Sequence, residues 1–281
     1  DKSVVASYPY ALKKWNLTKS DEFEGETLDE ELWSPYDSNS AEDLGFGRTK
    51  GYDKNALYLE NGRLVLDYKV NDKTGTNKTA TYIVGSVKSK YTQNQGLFTA
   101  SIAMPTKGGA LNAFWTIPTS ETWGKAWFAT ARAGEREGML LGENDIVEFS
   151  PNWIDKTTGY PKCFVTDHFW HSDTLAVDTT KQHNATYSTE KFLTGEPVEF
   201  SYAWTPVAFY YYVDGNLVRT VKNIESTNEP ATLVFQILGS DFSEDGKTVD
   251  KDRDSWAGLF THDDVLNGTM KMSVEFCRWY K

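Results

Sequence analysis

The sequence predicts an all-β sandwich of antiparallel sheets, and three observations carry that prediction. Short runs rich in Val, Ile, Tyr, Phe and Thr recur between Gly, Asn and Asp residues, which is the rhythm of strands and turns. Asn61-Gly62 and Asp214-Gly215 each stand between two such runs, and these dipeptides favour two-residue hairpin turns. No amphipathic helical stretch of convincing length interrupts the pattern.

Taken in order, residues 1–20 read as a loosely held lead-in, with the ordered fold starting near Asp21-Glu22-Phe23-Glu24-Gly25. A surface loop rich in Asp, Asn, Gly and Ser leads to strand-like runs at Ala56 to Glu60, Arg63 to Val70, Thr81 to Ser89, Gly96 to Pro105 and Ala113 to Ile117. The segment Pro118 through Gly142, with Trp123, Trp127, Phe128, Arg132 and Arg136, breaks the rhythm. It reads either as an insertion that walls a cleft or as a solvent loop with its own small hydrophobic cluster. Pro151 to Lys162 reads as a loop, and Cys163 to His171 alternates again. A meander follows through Val198 to Thr205, Phe209 to Val213 and Leu217 to Val221; Thr232 to Leu238 and Met270 to Tyr280 are late strands. Residues 240–269 are polar, with a short turn expected around Trp256. Without a linker, repeat or low-complexity segment, residues 1–281 read as one domain.

Ten Trp, fifteen Tyr and fifteen Phe in 281 residues support a well-buried core and leave aromatics to stack on sugar rings. A net charge of −11 argues against nucleic acid or an anionic membrane surface as partner, and weakens a heavily sulfated ligand. No run of eighteen apolar residues exists, so no membrane span is expected. Cys163 and Cys277 are too few for a disulfide framework and read as two free, buried thiols. The chain starts at Asp1 without a signal peptide, as a mature secreted form or a trimmed one would. A monomer in a secreted, periplasmic or cell-surface setting is the expectation.

The chemistry concentrates in Gly142-Glu143-Asn144-Asp145-Ile146-Val147-Glu148-Phe149-Ser150. On a regular strand Glu143 and Asp145 share a face, whereas Glu148 points to the other. One extra residue in the Ile146-Val147 region, a β-bulge, would return Glu148 to the face of the other two. Three carboxylates so close would repel if all were ionised, so at least one should hold a proton near neutral pH. Retaining glycoside hydrolysis needs such a set, one ionised nucleophile and one protonated acid about 5–5.5 Å apart. A solvated acidic edge or a calcium site built of clustered carboxylates stays open as an alternative. In the run Cys163 to His171, His168 or His171 could face the acids and polarise Glu148, and Trp170 could form a sugar platform. A hydrogen-bonded structural histidine is the plainer alternative.

With these residues in hand, the chain resembles glycoside hydrolase family 16 across nearly its whole length. Glu143-Asn-Asp145-Ile-Val-Glu148 is similar to the bulged form of that family's strand motif, E-x-D-x-x-E. The surrounding markers follow in the family's order: Asp21-Glu22-Phe23 with Leu28-Asp29 and Trp33, Ser86-Val-Lys-Ser89, Gly96-Leu-Phe and Asn112-Ala-Phe-Trp115. Ala203-Trp-Thr-Pro206, Tyr212-Val-Asp-Gly215 and Val274-Glu-Phe-Cys-Arg278-Trp-Tyr280 complete them.

The resemblance implies a concanavalin-like jelly roll of two curved antiparallel sheets with the motif on the concave face of a cleft. It implies Glu143 as nucleophile, Glu148 as general acid/base and Asp145 as the carboxylate that tunes them. Trp115, Trp123, Trp127, Arg132, His168 and Trp170 are the candidate substrate-binding residues. No cofactor is required. Asn144 stands where an aliphatic residue is usual, so the buried face of the strand should be locally polar there. Glu275 stands where Asp is usual in the last strand, a position associated with structural calcium in relatives, so a calcium near Glu275 is the metal to look for.

Relatives with the bulged motif act mostly on laminarin-type β-1,3-glucan, algal galactans, or keratan and mucin chains. The Trp-bearing insertion, Asp167-His168-Phe169-Trp170 and Asn144 lean toward a β-galactoside backbone, an algal galactan or a poly-N-acetyllactosamine-like mucin O-glycan, cut internally. The alternatives are an endo-β-1,3-glucanase and a non-catalytic, lectin-like carbohydrate-binding protein.

Overall fold

The structure, a computed structural model, describes residues 15–37, 50–78, 80–119, 140–171, 183–222, 230–238, 241–242 and 257–281. Alternation along the strands gives each of two large antiparallel sheets one apolar face, and the two apolar faces are buried together.

The first sheet runs β16 (Asn216–Lys222), β15 (Ala208–Val213), β14 (Val198–Trp204), β9 (Gly96–Ala103), β20 (Met272–Tyr280), β5 (Arg63–Leu66) and β4 (Leu57–Glu60), with β1 (Leu17–Asp21) added to β20. The second runs β13 (His183–Ser188), β12 (Pro161–His171), β11 (Leu140–Ile154), β10 (Leu111–Pro118), β17 (Ala231–Leu238), β8 (Ser86–Gln93) and β2 (Trp33–Pro35). Two small sheets flank them: β3 (Lys50–Tyr52), β7 (Tyr82–Val84) and β6 (Tyr68–Val70), and the parallel pair β18 (Asp241–Phe242) and β19 (Leu259–Phe260). The short helices α1 (Lys191–Thr194) and α2 (His262–Leu266) and a 3-10 turn at Lys54–Ala56 complete the described elements. Strands distant in sequence lie side by side, β9 between β14 and β20 and β10 between β11 and β17, as in a β-jelly roll.

Local chemistry sets the turns and caps. Asn61 and Gly62 have φ of 53° and 70°, and Asp214 and Gly215 have 47° and 74°. Both pairs therefore make the two-residue turn whose backbone matches the right-handed twist of the strands it joins. Thr261 caps α2, accepting from the Asp264 amide while the Asp264 carboxylate accepts from the Thr261 amide.

The core between the sheets is aromatic. Phe114 and Phe235 of the second sheet stack at 4.7 Å. Trp33 is fully buried, with its ring 5.9 Å from Phe23, 5.6 Å from Phe235 and 5.8 Å from Trp279. Its indole Nε1 donates to Asp21 Oδ2 at 2.8 Å, so the polar atom of this buried ring is satisfied.

Three expectations change or sharpen here. The fold begins before Asp21: β1 pairs with β20, Asn16 and Lys281 exchange backbone hydrogen bonds of 2.7 and 2.8 Å, and Trp15 is buried. The sequence Leu-Thr-Lys-Ser-Asp hides this strand because backbone pairing, not an apolar face, holds it. The expected loop at Pro151 is shorter, since β11 continues to Ile154 before turning. Both thiols are free and buried, as expected. Trp256 lies outside the described residues.

Glu275, the position where calcium was to be looked for, accepts through Oε1 from Arg63 Nη2 at 2.6 Å and through Oε2 from Ser101 Oγ at 2.7 Å.

Replacing Trp33 by Ala should cost about 3–5 kcal/mol, as for other large buried aromatics. Urea denaturation checks it: the midpoint should fall with the m value unchanged.

Candidate active site

The site is built by an irregularity in β11. Against β10, Phe114 lies opposite Val147 and Trp115 opposite Asp145, which leaves Ile146 without a partner of its own on that side. Against β12, Asp145 lies opposite Thr166 and Glu148 opposite Phe164, so Ile146 and Val147 together stand against Val165. Two residues facing one is a β-bulge, and it resets the alternation.

Residues directly opposite each other share a face, so the registers define what surrounds each carboxylate. Glu143 lies opposite His168. Asp145 belongs to a row running Thr166, Asp145, Trp115, Val234 and Lys88 across five strands. Glu148 belongs to the next row, with Phe164, Ala113 and Gln236. Ile146, Val147 and Phe149 are fully buried and join the core cluster. The bulge thus lets one strand present Glu143, Asp145 and Glu148 on its open face and apolar side chains behind.

The carboxylates are closely set. One donor atom from each of Glu143, Asp145 and His168 lies within 4.8 Å of the others. His168 Nε2 is 2.9 Å from Asp145 Oδ2, and Thr166 Oγ1 donates to Glu148 Oε2 at 3.2 Å. This trio has the donor types of a metal centre, with the His168 imidazole in direct contact with the Asp145 carboxylate. Burial pushes the Asp145 carboxyl up to about 8, with the charge of Asp167 adding to it. Burial likewise pushes Glu148 up to about 8, helped by Asp145 and opposed by His168 and the Thr166 hydroxyl. Two neighbouring acids that hold protons near neutrality titrate as a pair.

His168 acts on Glu148 only through its charge: its Nε2 contacts Asp145 Oδ2, and Thr166 is the residue that hydrogen-bonds Glu148. The reason is register, because Glu148 lies beyond the bulge and His168 stands opposite Glu143. Trp115 sits opposite Asp145 and packs with Ala113, Val234 and Tyr36, with only 4% of its surface exposed. The backbone of Trp170 pairs with Leu141, and that of His171 with Leu140; their side chains lie outside the description. Trp123, Trp127 and Arg132 also fall outside the described residues.

Other neighbours escaped the sequence reading. Gln236 donates to Tyr52 Oη at 2.7 Å, and Tyr36 lies between Tyr52 and the Trp115 cluster with Lys88 Nζ 5.9 Å above its ring. On the core side, Asn144 Oδ1 accepts from Tyr211 Oη at 2.9 Å and Asn144 Nδ2 donates to Thr116 Oγ1 at 3.4 Å. This is the local polarity expected at Asn144. Asp167, the cross-strand partner of Asn144, is fully buried and paired with Arg219. The spacing of Thr166 and His168, two apart in an alternating run, was the available signal that both share the carboxylates' surface.

No protein-family model matches the chain, and no curated protein matches it in sequence. Solved structures do match it in fold. The laminarinase catalytic domain from Thermotoga maritima superposes with a TM-score of 0.67 at 19% identity, covering 96% of this chain and 99% of that one. The endo-β-1,3-glucanase from Pyrococcus furiosus gives 0.69 at 20% identity, covering 96% and 95%. A structure reported with endo-acting O-glycanases that human gut microbiota members express to initiate mucin breakdown gives 0.64 at 17% identity, covering 95% and 91%. The class defined here is a jelly-roll sandwich with an acidic trio on a bulged strand. At these identities the likeness establishes the fold.

The raised acids carry a stability consequence. A carboxyl whose folded pKa lies above its unfolded value leaves the native state holding a proton the unfolded chain has released, so stability falls as pH rises between the two values. For Asp145 and Glu148 that window runs from 3.8 and 4.5 up to about 8. Asp145→Asn and Glu148→Gln should each raise the Tm relative to the parent near pH 7.5, with the gain vanishing near pH 4. Each kcal/mol recovered corresponds to about 2–4 °C, and thermal melts at the two pH values measure it.

Proposed function

We propose that the chain is an endo-acting, retaining β-glycosidase of the family 16 type. One observation carries the reading: the bulge at Ile146 turns Glu148, a carboxyl held protonated near neutrality, onto the surface that bears Glu143 and Asp145. In this reading Glu143 is the nucleophile and attacks the anomeric carbon, while Glu148 donates its proton to the departing glycosidic oxygen. Glu148 then takes a proton from the water that hydrolyses the glycosyl-enzyme. Asp145, between them in sequence and in contact with His168, couples to Glu148 and keeps a proton within reach of the leaving group.

The row from Thr166 to Lys88 crosses five strands, about 19 Å at the usual strand spacing. A cleft running along that row would be long enough for several sugars of a continuing chain, which favours internal cleavage. For substrate we favour a β-galactoside backbone of the galactan or poly-N-acetyllactosamine type. The polar residues Asn144 and Asp167 behind the site support it, and the −11 net charge suits a neutral stretch of chain. β-1,3-Glucan is the second reading, favoured by the laminarinase and endo-β-1,3-glucanase with which the fold is shared.

Glu143→Gln or Glu143→Ser should lower turnover on the order of 10³-fold or more while oligosaccharide binding persists; unchanged products would mark a lectin-like protein. Mass spectrometry of products from laminarin, agarose, porphyran, carrageenan, keratan sulfate and mucin O-glycans separates the two substrate readings. The profile of kcat/KM should fall on the alkaline side with an apparent pKa near 8, the value at which Glu148 loses its proton. A limb below pH 6 in its place would remove Glu148 as the acid.

A further inference from the structure

We propose that Asp167 and Arg219 are positioning residues for the carboxylate trio, an ion pair set in the core behind the site that aims Thr166 and His168 and places a negative charge on the core side of Asp145. The inference rests on the glycosidase reading above.

Position is the first argument. Asp167 stands between Thr166 and His168 in β12, and those two side chains, pointing the opposite way, hold Glu148 and Asp145 respectively. Whatever fixes Asp167 therefore fixes the orientation of both. Arg219 does so from β16, the edge strand of the opposite sheet. Tyr211, opposite Arg219 on β15, continues the link by donating to Asn144, the cross-strand neighbour of Asp167. The carboxylate strand and its neighbour β12 are thus each gripped from behind, at adjoining points.

Energetics is the second. The side chain of Arg219 is 8% exposed and that of Asp167 fully buried. An ion pair removed from water to this degree gains little over two apolar side chains of similar volume. Its presence in an otherwise aromatic core calls for a role other than stability.

Charge is the third. Among the described residues, Asp145 is surrounded by Glu143 and Glu148 on its own strand, by His168 and Asp167 on β12, and by uncharged Trp115 on β10. Tyr211 and Arg219 approach from the opposite sheet, as does Tyr202, on which Asp167 also acts. His183 is the cross-strand neighbour of Asp167 on β13. After burial, the charge of Asp167 is the cause that raises Asp145.

The test compares Asp167→Asn and the double variant Asp167→Asn/Arg219→Met with the parent. In substrate-free protein, the imidazole of His168 is followed by NMR across the pH range and assigned with His168→Asn. The inflection that Asp145 imposes on it should move down by about half a pH unit or more once the charge behind it is gone. On a cleaved glycan, kcat should fall about tenfold or more through misplacement of the acids, with KM within about twofold. Should Asp167→Asn alone fail to fold, the double variant carries the same comparison, since neutralising both partners removes the buried lone charge. A His168 titration identical to the parent, a kcat loss that tracks the loss of Tm, or failure of both variants to fold would overturn the proposal. Absence of cleavage by the parent would overturn the hydrolase reading instead, and the NMR shift still decides whether Asp167 acts on Asp145.

Discussion

The site depends on one surplus residue in one strand. Without Ile146 in excess, Glu148 would be directed into the aromatic core, and Val147 would face the open surface. The bulge is tolerated because Ile146 is itself buried and because β11 is gripped on both sides, by β10 along Asn112 to Thr116 and by β12 along most of its length. A central strand, paired twice, can carry an irregularity that would loosen an edge strand.

Crowding then acts as chemistry. Acids set this close and this deep cannot all ionise, and the protein makes the imbalance specific by assigning different partners: an imidazole to Asp145, a hydroxyl to Glu148, and a buried anion behind. Environment thus sets chemically similar groups apart, holding the Asp145 and Glu148 carboxyls protonated near neutrality.

Much of this was legible in the residues. Period-two runs and the Asn61-Gly62 and Asp214-Gly215 turns announce an all-β fold because they are local properties of the chain. The spacing of Glu143, Asp145 and Glu148 announces the bulge as well, since only an inserted residue gives all three a common surface. What stayed hidden depends on register between distant segments. The Asp145–His168 contact follows from how β12 slides against β11, which no single strand encodes. The Asp167–Arg219 pair joins opposite sheets, and each residue alone reads as an ordinary polar position within an alternating strand. β1 was invisible for a different reason, since its five residues carry no apolar stripe and are held through their backbone.

That same backbone pairing has a topological meaning. Asn16 and Lys281 bond to each other reciprocally, so the first and last described strands meet as neighbours and the polypeptide forms a nearly closed circuit. A short linker across that gap, with a new opening at the exposed Asn61-Gly62 hairpin, would yield a circularly permuted chain with every sheet contact intact.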